Sequence, residues 1–267
     1  MSEPLFDVNH EAILPGQTLK IQVPRKGSRP ATLTWGEKTF PFLAAIGGFW
    51  RVLVPVPLSQ ESGKESLYIT VNRFIRNDLL EGPLEVEILP SRFAKEKLEF
   101  SKNKSKLLNN PDEESESQFI REMIKAAIPD PQQRWRGIFK APVPGIVLSA
   151  FGTTRNKIGQ VAEDVHKGVD FAAKAGTSVL APGGGLVLLV KEFNFHGKTV
   201  LLSHGQGVAT IYLHLRSFNV AEGDTIQAGQ KLGEVGATGL ATGPHLHWGL
   251  YVQGQPVDPM HWLKEEF

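Results

Sequence analysis

The chain has 267 residues, 41% of them hydrophobic and 21% charged, and 29 Lys and Arg stand against 28 Asp and Glu for a net charge of +1. That length holds one large domain or two of ordinary size, and the even charge offers no basic excess of the kind that nucleic-acid binding leaves along a chain. The absence of cysteine removes disulfides, thiolate metal sites and cysteine nucleophiles together.

The first residues, Met1-Ser2-Glu3-Pro4-Leu5-Phe6-Asp7, have neither the basic nor the apolar region of a signal peptide. No apolar run approaches the roughly 20 residues that span a bilayer. A cytosolic protein, or one whose leader is not present in this chain, is expected. In residues 18–23, Leu19, Ile21 and Val23 alternate with polar neighbours, and residues 31–35, 50–56, 67–71 and 84–89 look alike. Pro15-Gly16, Gly27, Pro30, Gly47-Gly48 and Gly82-Pro83 separate these runs. Period-two alternation broken by turn signals reads as a small antiparallel, β-sandwich-like domain over residues 1–90. It shows no cluster of His, Asp or Glu, so an accessory spacer or binding role is expected.

Residues 91–136 read as a charged, helical connector. Asn110 can cap a helix, Pro111 suits its first position, and Asp112-Glu113-Glu114 complements the dipole. Phe119, Ile120, Met123, Ile124, Ala127 and Ile128 then recur at helical spacing until Pro129 stops the run, which predicts one apolar face packed on a domain. Residues 137–267 are Gly-rich, with candidate strands at 177–181, 186–190, 199–203 and 209–215 and no helical periodicity until the extreme C-terminus. They read as a second antiparallel β-domain, making the fold mainly β.

The chemistry concentrates in this last part. In Gly243-Pro244-His245-Leu246-His247-Trp248 the two imidazoles share one strand face. They form a pair of metal ligands, or one ligand and one acid–base group, or two histidines on a wet face. His166-Lys167-Gly168-Val169-Asp170 offers an imidazole and a carboxylate. Extended chain would hold these about 13 Å apart, too far for one ion, so the chain must bend, most cheaply at Gly168. His214 lies in the apolar run Ile211-Tyr212-Leu213-His214-Leu215, where a lone histidine is commonly a core residue. Together they supply two imidazoles and a carboxylate for a three-ligand catalytic metal site with an open fourth position. No His-Glu-x-x-His helix is present, so the general base would be a histidine.

The order of these segments, together with Ala150-Phe151-Gly152, Gly176-Thr177-Ser178-Val179, residues 222–230, Gly236-Ala237-Thr238-Gly239 and Val257-Asp258-Pro259, resembles the lysostaphin-type zinc endopeptidases. These bacterial enzymes cut the peptide bridges of cell-wall peptidoglycan. The resemblance covers residues 142–263, and residues 5–90 look like the β-domain preceding the peptidase in some envelope members. It implies one zinc ion held by His166, Asp170 and His247, with His245 and His214 as the non-ligand histidines of catalysis. It also implies D,D-endopeptidase activity on peptidoglycan cross-bridges and an extracytoplasmic location. Two other functions compete with it. A non-hydrolytic cell-wall-binding or hydrolase-activating module could use the same fold, though all five site positions are filled here. A biotinyl or lipoyl carrier would need a lysine at an exposed, flanked turn, and none is found. His196, His204, His10 and His261 carry no strong claim, with His204 expected to be structural or beside the ligands.

Overall fold

Strands predicted by alternation pair into two sheets in the N-terminal part of the computed structural model, which describes residues 6–25, 30–72, 77–79, 83–91, 93–98, 112–157 and 164–267. The chain divides into two units, Met1–Arg92 and Phe93–Glu266. In the first, Thr18–Pro24 pairs antiparallel with Phe49–Pro55, and Asp7–Val8 and Leu43–Ala44 flank that pair. A second sheet runs Ala12–Ile13, Leu84–Ile88, Gly63–Asn72, Pro30–Trp35, Lys38–Pro41, with Asn77–Leu79 on its long strand. Leu19, Ile21 and Val54 of one sheet and Leu33, Leu67 and Val86 of the other belong to one buried apolar cluster. The two sheets thus contribute to one apolar core.

The second unit is organised by one large sheet in the order Val147–Ser149, Val169–Ala172, His245–Val252, Val208–Phe218, Gly197–Gly205, Gly185–Phe193, Thr225–Ile226. Ser178–Leu180 pairs with Lys231–Val235, which also pairs with Val208–Phe218. The central strands are longer than their sequence pattern predicts. Val208–Phe218 and Gly197–Gly205 are buried along most of their length, and a strand covered on both faces shows no apolar–polar alternation to mark its ends.

Two pieces of chain pack against that sheet. The helix Asp112–Ala126 lays Ile120 and Ile124, with Ala127 beyond its end, onto Leu189, Leu201, Ile211 and Leu213. The expected one-sided packing is present, while the predicted capping residues Asn110 and Pro111 lie outside the described residues. A separate aromatic group gathers Trp135, Phe139 and Trp262, with the Phe139 and Trp262 ring centroids 5.1 Å apart. Trp262 belongs to the short helix Pro259–Trp262, whose first turn is capped by Asp258 accepting from the Met260 N–H. Among the described residues no helix is long and apolar enough to cross a membrane.

Candidate metal and catalytic site

Strand pairing brings the predicted residues together. Asp170 on Val169–Ala172 lies opposite His247 on His245–Val252. Opposed residues on neighbouring strands point to the same face, so their side chains meet although far apart in sequence. His166 joins them from the segment just before its strand, after the chain bends at Gly168. The bend falls where expected, but freedom of φ is not the main reason glycine stands there. A Cβ on Gly168 would lie 2.6 Å from the Trp248 carbonyl oxygen and 2.8 Å from the His247 ring. Only a residue without a side chain lets His247 come this close.

Three donor atoms converge. His166 Nε2 lies 3.0 Å from His247 Nδ1 and 3.1 Å from Asp170 Oδ1, and His247 Nδ1 lies 2.8 Å from the same oxygen. All three residues are largely buried, and they form a group able to hold a metal ion. The His166 Nδ1–H donates to the Ala150 carbonyl at 2.9 Å. That bond turns Nε2 toward the carboxylate oxygen, where it can meet Oδ1 as a donor or face a shared cation as a ligand. Donors about 2.1 Å from a tetrahedral ion would be about 3.4 Å apart, a few tenths of an ångström wider than the observed triangle. The residues fit a metal.

Electrostatics favours the ligating forms. Burial by itself would raise the Asp170 carboxyl, but hydrogen bonds from His166 and His247, and their charges, hold it far below the usual carboxylate range. Burial pushes His247 down to about 4 against the pull of Asp170. Both groups therefore sit at neutral pH in the state that binds a cation.

The two remaining histidines stand beside this triangle. His245 Nε2 is 4.0 Å from Asp170 Oδ1, and its Nδ1–H donates to the Gly243 carbonyl at 2.8 Å. The His214 ring centroid is 5.0 Å from that of His245, and its Nδ1–H donates to the Thr238 carbonyl at 2.9 Å. With Nδ1 so committed, each ring directs Nε2 away from its anchoring carbonyl. Burial, followed by the charges of His245 and His247, keeps His214 well below its ordinary value.

His214 reaches this face by an irregular route. Leu213 lies opposite His247, so strict alternation would send His214 to the other side of the sheet. Instead its φ is 62°, a left-handed conformation unfavourable for a side-chain-bearing residue, and the strand register shifts just beyond it, between Leu215 and Ser217. Backbone strain is here coupled to the placement of a site histidine.

Three polar residues close to the ligands carry no local sequence signal. The Arg155 guanidinium donates to Asp170 Oδ2, the oxygen turned away from the triangle, and to Ser149 Oγ at 2.8 Å. Ser149 Oγ is also 2.7 Å from Glu96 Oε2. Glu96 belongs to the strand Lys95–Leu98, which pairs in parallel with Thr154–Lys157. Arg155 opens the polar segment 155–165, of which residues 158–163 lie outside the described residues. Over the cluster opens a cavity of about 1140 Å³, walled in part by Glu113, Ser117 and Arg121 of the helix and by Leu148, Val165 and Lys167.

His204 stays apart from the site. It is fully buried beside Phe139, with its ring nitrogens 2.6 Å from the Gly184 carbonyl oxygen and 2.8 Å from Thr210 Oγ1. It is a structural residue, with both nitrogens satisfied.

Part of this chain is similar to several known proteins. The DD-carboxypeptidase/endopeptidase Mpg of Neisseria meningitidis is 42% identical over 96 residues, covering 36% of this chain and 22% of that protein. The peptidoglycan DD-endopeptidase ShyA of Vibrio cholerae is 42% identical over 95 residues, with the same coverage of 36% and 22%. The match therefore spans about a fifth of the length of these curated relatives. A crystal structure of a provisionally assigned peptidase M23 from Pseudomonas aeruginosa superposes with a TM-score of 0.67 at 27% identity, covering 94% of each chain. Residues 164–259, which include all five site residues named above, match the model of peptidase family M23. The second unit thus contains a stretch, residues 164–259, that matches peptidase family M23.

Proposed function

We propose that this chain is a zinc-dependent endopeptidase that hydrolyses peptide cross-bridges of bacterial peptidoglycan, with D,D-bonds as its substrate. The observation that carries the reading is the meeting of His166 Nε2, Asp170 Oδ1 and His247 Nδ1 within 2.8 to 3.1 Å of one another, with His214 and His245 beside them. The named activities of the Neisseria and Vibrio relatives support the substrate class. Peptidoglycan as substrate implies action outside the cytoplasm, in the cell envelope. In this reading residues 137–267 carry the chemistry, residues 1–90 form an accessory domain, and residues 91–136 join them.

His166, Asp170 and His247 would hold the ion through a neutral nitrogen, a carboxylate oxygen and a second nitrogen. Zinc so held would polarise a carbonyl and acidify a water. His245 and His214 each have Nδ1 committed to a backbone carbonyl, so each presents Nε2 as a proton acceptor. One takes the proton from the attacking water, and the imidazolium formed returns it to the leaving amine. The fixed Nδ1 bonds keep both rings oriented throughout. Arg155 on Asp170 Oδ2 keeps the other carboxylate oxygen turned to the ligand triangle.

The test is digestion of purified peptidoglycan by the zinc-loaded full chain, with mass analysis of the released fragments. Conversion of D,D-cross-linked dimers to monomers is expected. Intact cross-links after incubation with protein shown to retain zinc would refute the reading.

A further inference from the structure

The helix Asp112–Ala126 lies outside the family-matched residues 164–259, yet it is bonded to the support of His214. Glu116, a buried carboxylate on that helix, accepts from the backbone N–H groups of Asn194 at 2.7 Å, Phe195 at 3.0 Å and His196 at 3.2 Å. His196 Nδ1 is 3.0 Å from the same carboxylate. The loop so gathered joins Gly185–Phe193 to Gly197–Gly205 and leads in two directions to His214. The His196 carbonyl accepts the backbone N–H of His214 at 3.3 Å. The Phe195 carbonyl accepts the N–H of Leu240 at 2.7 Å, in the loop whose Thr238 carbonyl orients the His214 ring. Thr238 is itself tied by Lys198 N–H to its hydroxyl at 2.9 Å.

A residue held at a φ of 62° keeps that conformation only when its surroundings over-determine it. We propose that Glu116 is a positioning residue for His214, and that the helix thereby completes the catalytic site. It acts by gathering the 194–196 loop, which fixes both the backbone and the ring acceptor of that histidine. A buried carboxylate with four donors is a stiff anchor, and Ile120 and Ile124 dock the helix independently of it. The inference rests on the reading of His214 as an acid–base residue.

The experiment uses the full zinc-loaded chain and a purified cross-linked muropeptide dimer. It measures kcat, KM, zinc affinity by chelator competition, and the His214 tautomer by ¹⁵N NMR of the imidazole. Glu116→Ala should lower kcat by about 10- to 100-fold, with KM and zinc affinity little changed and the Nδ1–H signature of His214 lost. Glu116→Gln keeps one acceptor oxygen and should fall between wild type and Glu116→Ala in both kcat and tautomer signal, which also covers poor folding of the alanine variant. His214→Ala separates the two ideas. If His214→Ala turns over normally, the catalytic reading itself fails. If His214→Ala is inactive while both Glu116 variants keep wild-type kcat and the native tautomer, the positioning role is overturned. Loss of zinc in step with kcat would equally overturn it.

Discussion

The two units are both built from strands, but they bury different chemistry. In Met1–Arg92 the described core is aliphatic and aromatic, and Thr18 and Arg51 are its buried polar side chains. The second unit buries Glu116, His166, Asp170, His204, His214, His245 and His261. Burying such groups costs free energy unless each finds partners. The second unit supplies them: a carbonyl for each of His166, His204, His214 and His245, and three backbone N–H groups for Glu116. Substitutions in the first core should therefore act on stability alone, while substitutions in the second should separate stability from chemistry.

The sharpest break in that contrast is expected at the ligands. Asp170→Ala removes the oxygen shared by two sides of the donor triangle, and zinc affinity should fall by more than about 100-fold, with turnover lost. Metal content after dialysis against a chelator measures it, and wild-type retention would count against the ligand set. Next comes His245→Ala, which should keep its zinc while turnover drops by about 100- to 10,000-fold. Normal turnover in that variant would remove His245 from the mechanism.

The first unit should behave in the opposite way. Ile21 is fully buried in its core, so Ile21→Ala should destabilise that unit by about 2 to 5 kcal/mol without altering zinc affinity. Denaturant unfolding followed beside chelator competition distinguishes the two readouts. The smallest effect is expected at His204, which burial holds at about 4 instead of 6.5. Between those values the unfolded chain binds a proton that the folded chain does not. Stability contributed by the neutral ring is thus fully present above pH 6.5 and declines as the pH falls toward 4. A His204→Gln variant of the metal-free protein should lose that part of the slope, about 3 kcal/mol at most across the window. An unchanged slope would show that other groups govern the acid limb.

Much of this molecule could be read in advance where local pattern and local chemistry coincide. Leu19, Ile21 and Val23 announce a half-buried strand, and they form one, because side chains alternate with period two wherever one face is wet. The helix from Asp112 was legible from Phe119 to Ile128 for the same kind of reason, with period 3.6. Central strands such as Val208–Phe218 showed less of their extent, since burial on both faces erases the alternation. The spacings His245-x-His247 and His166-x-x-x-Asp170 carried the site residues and the family resemblance, and a bend at Gly168 followed from chain reach alone.

What the sequence determined by itself was therefore the strand pattern, the one-sided helix and the identity of the histidines and carboxylate that gather at the site. Tertiary structure alone decided how they face one another. His214 turns to the site through a left-handed φ that its apolar neighbours do not foretell. Arg155 and Glu96 arrive through a parallel strand pair, and Glu116 reaches the 194–196 loop across 78 to 80 residues of chain. Such contacts depend on which strands become neighbours and where their register shifts. Periodicity within one segment records its own buried face and contains nothing about the partner that will cover it.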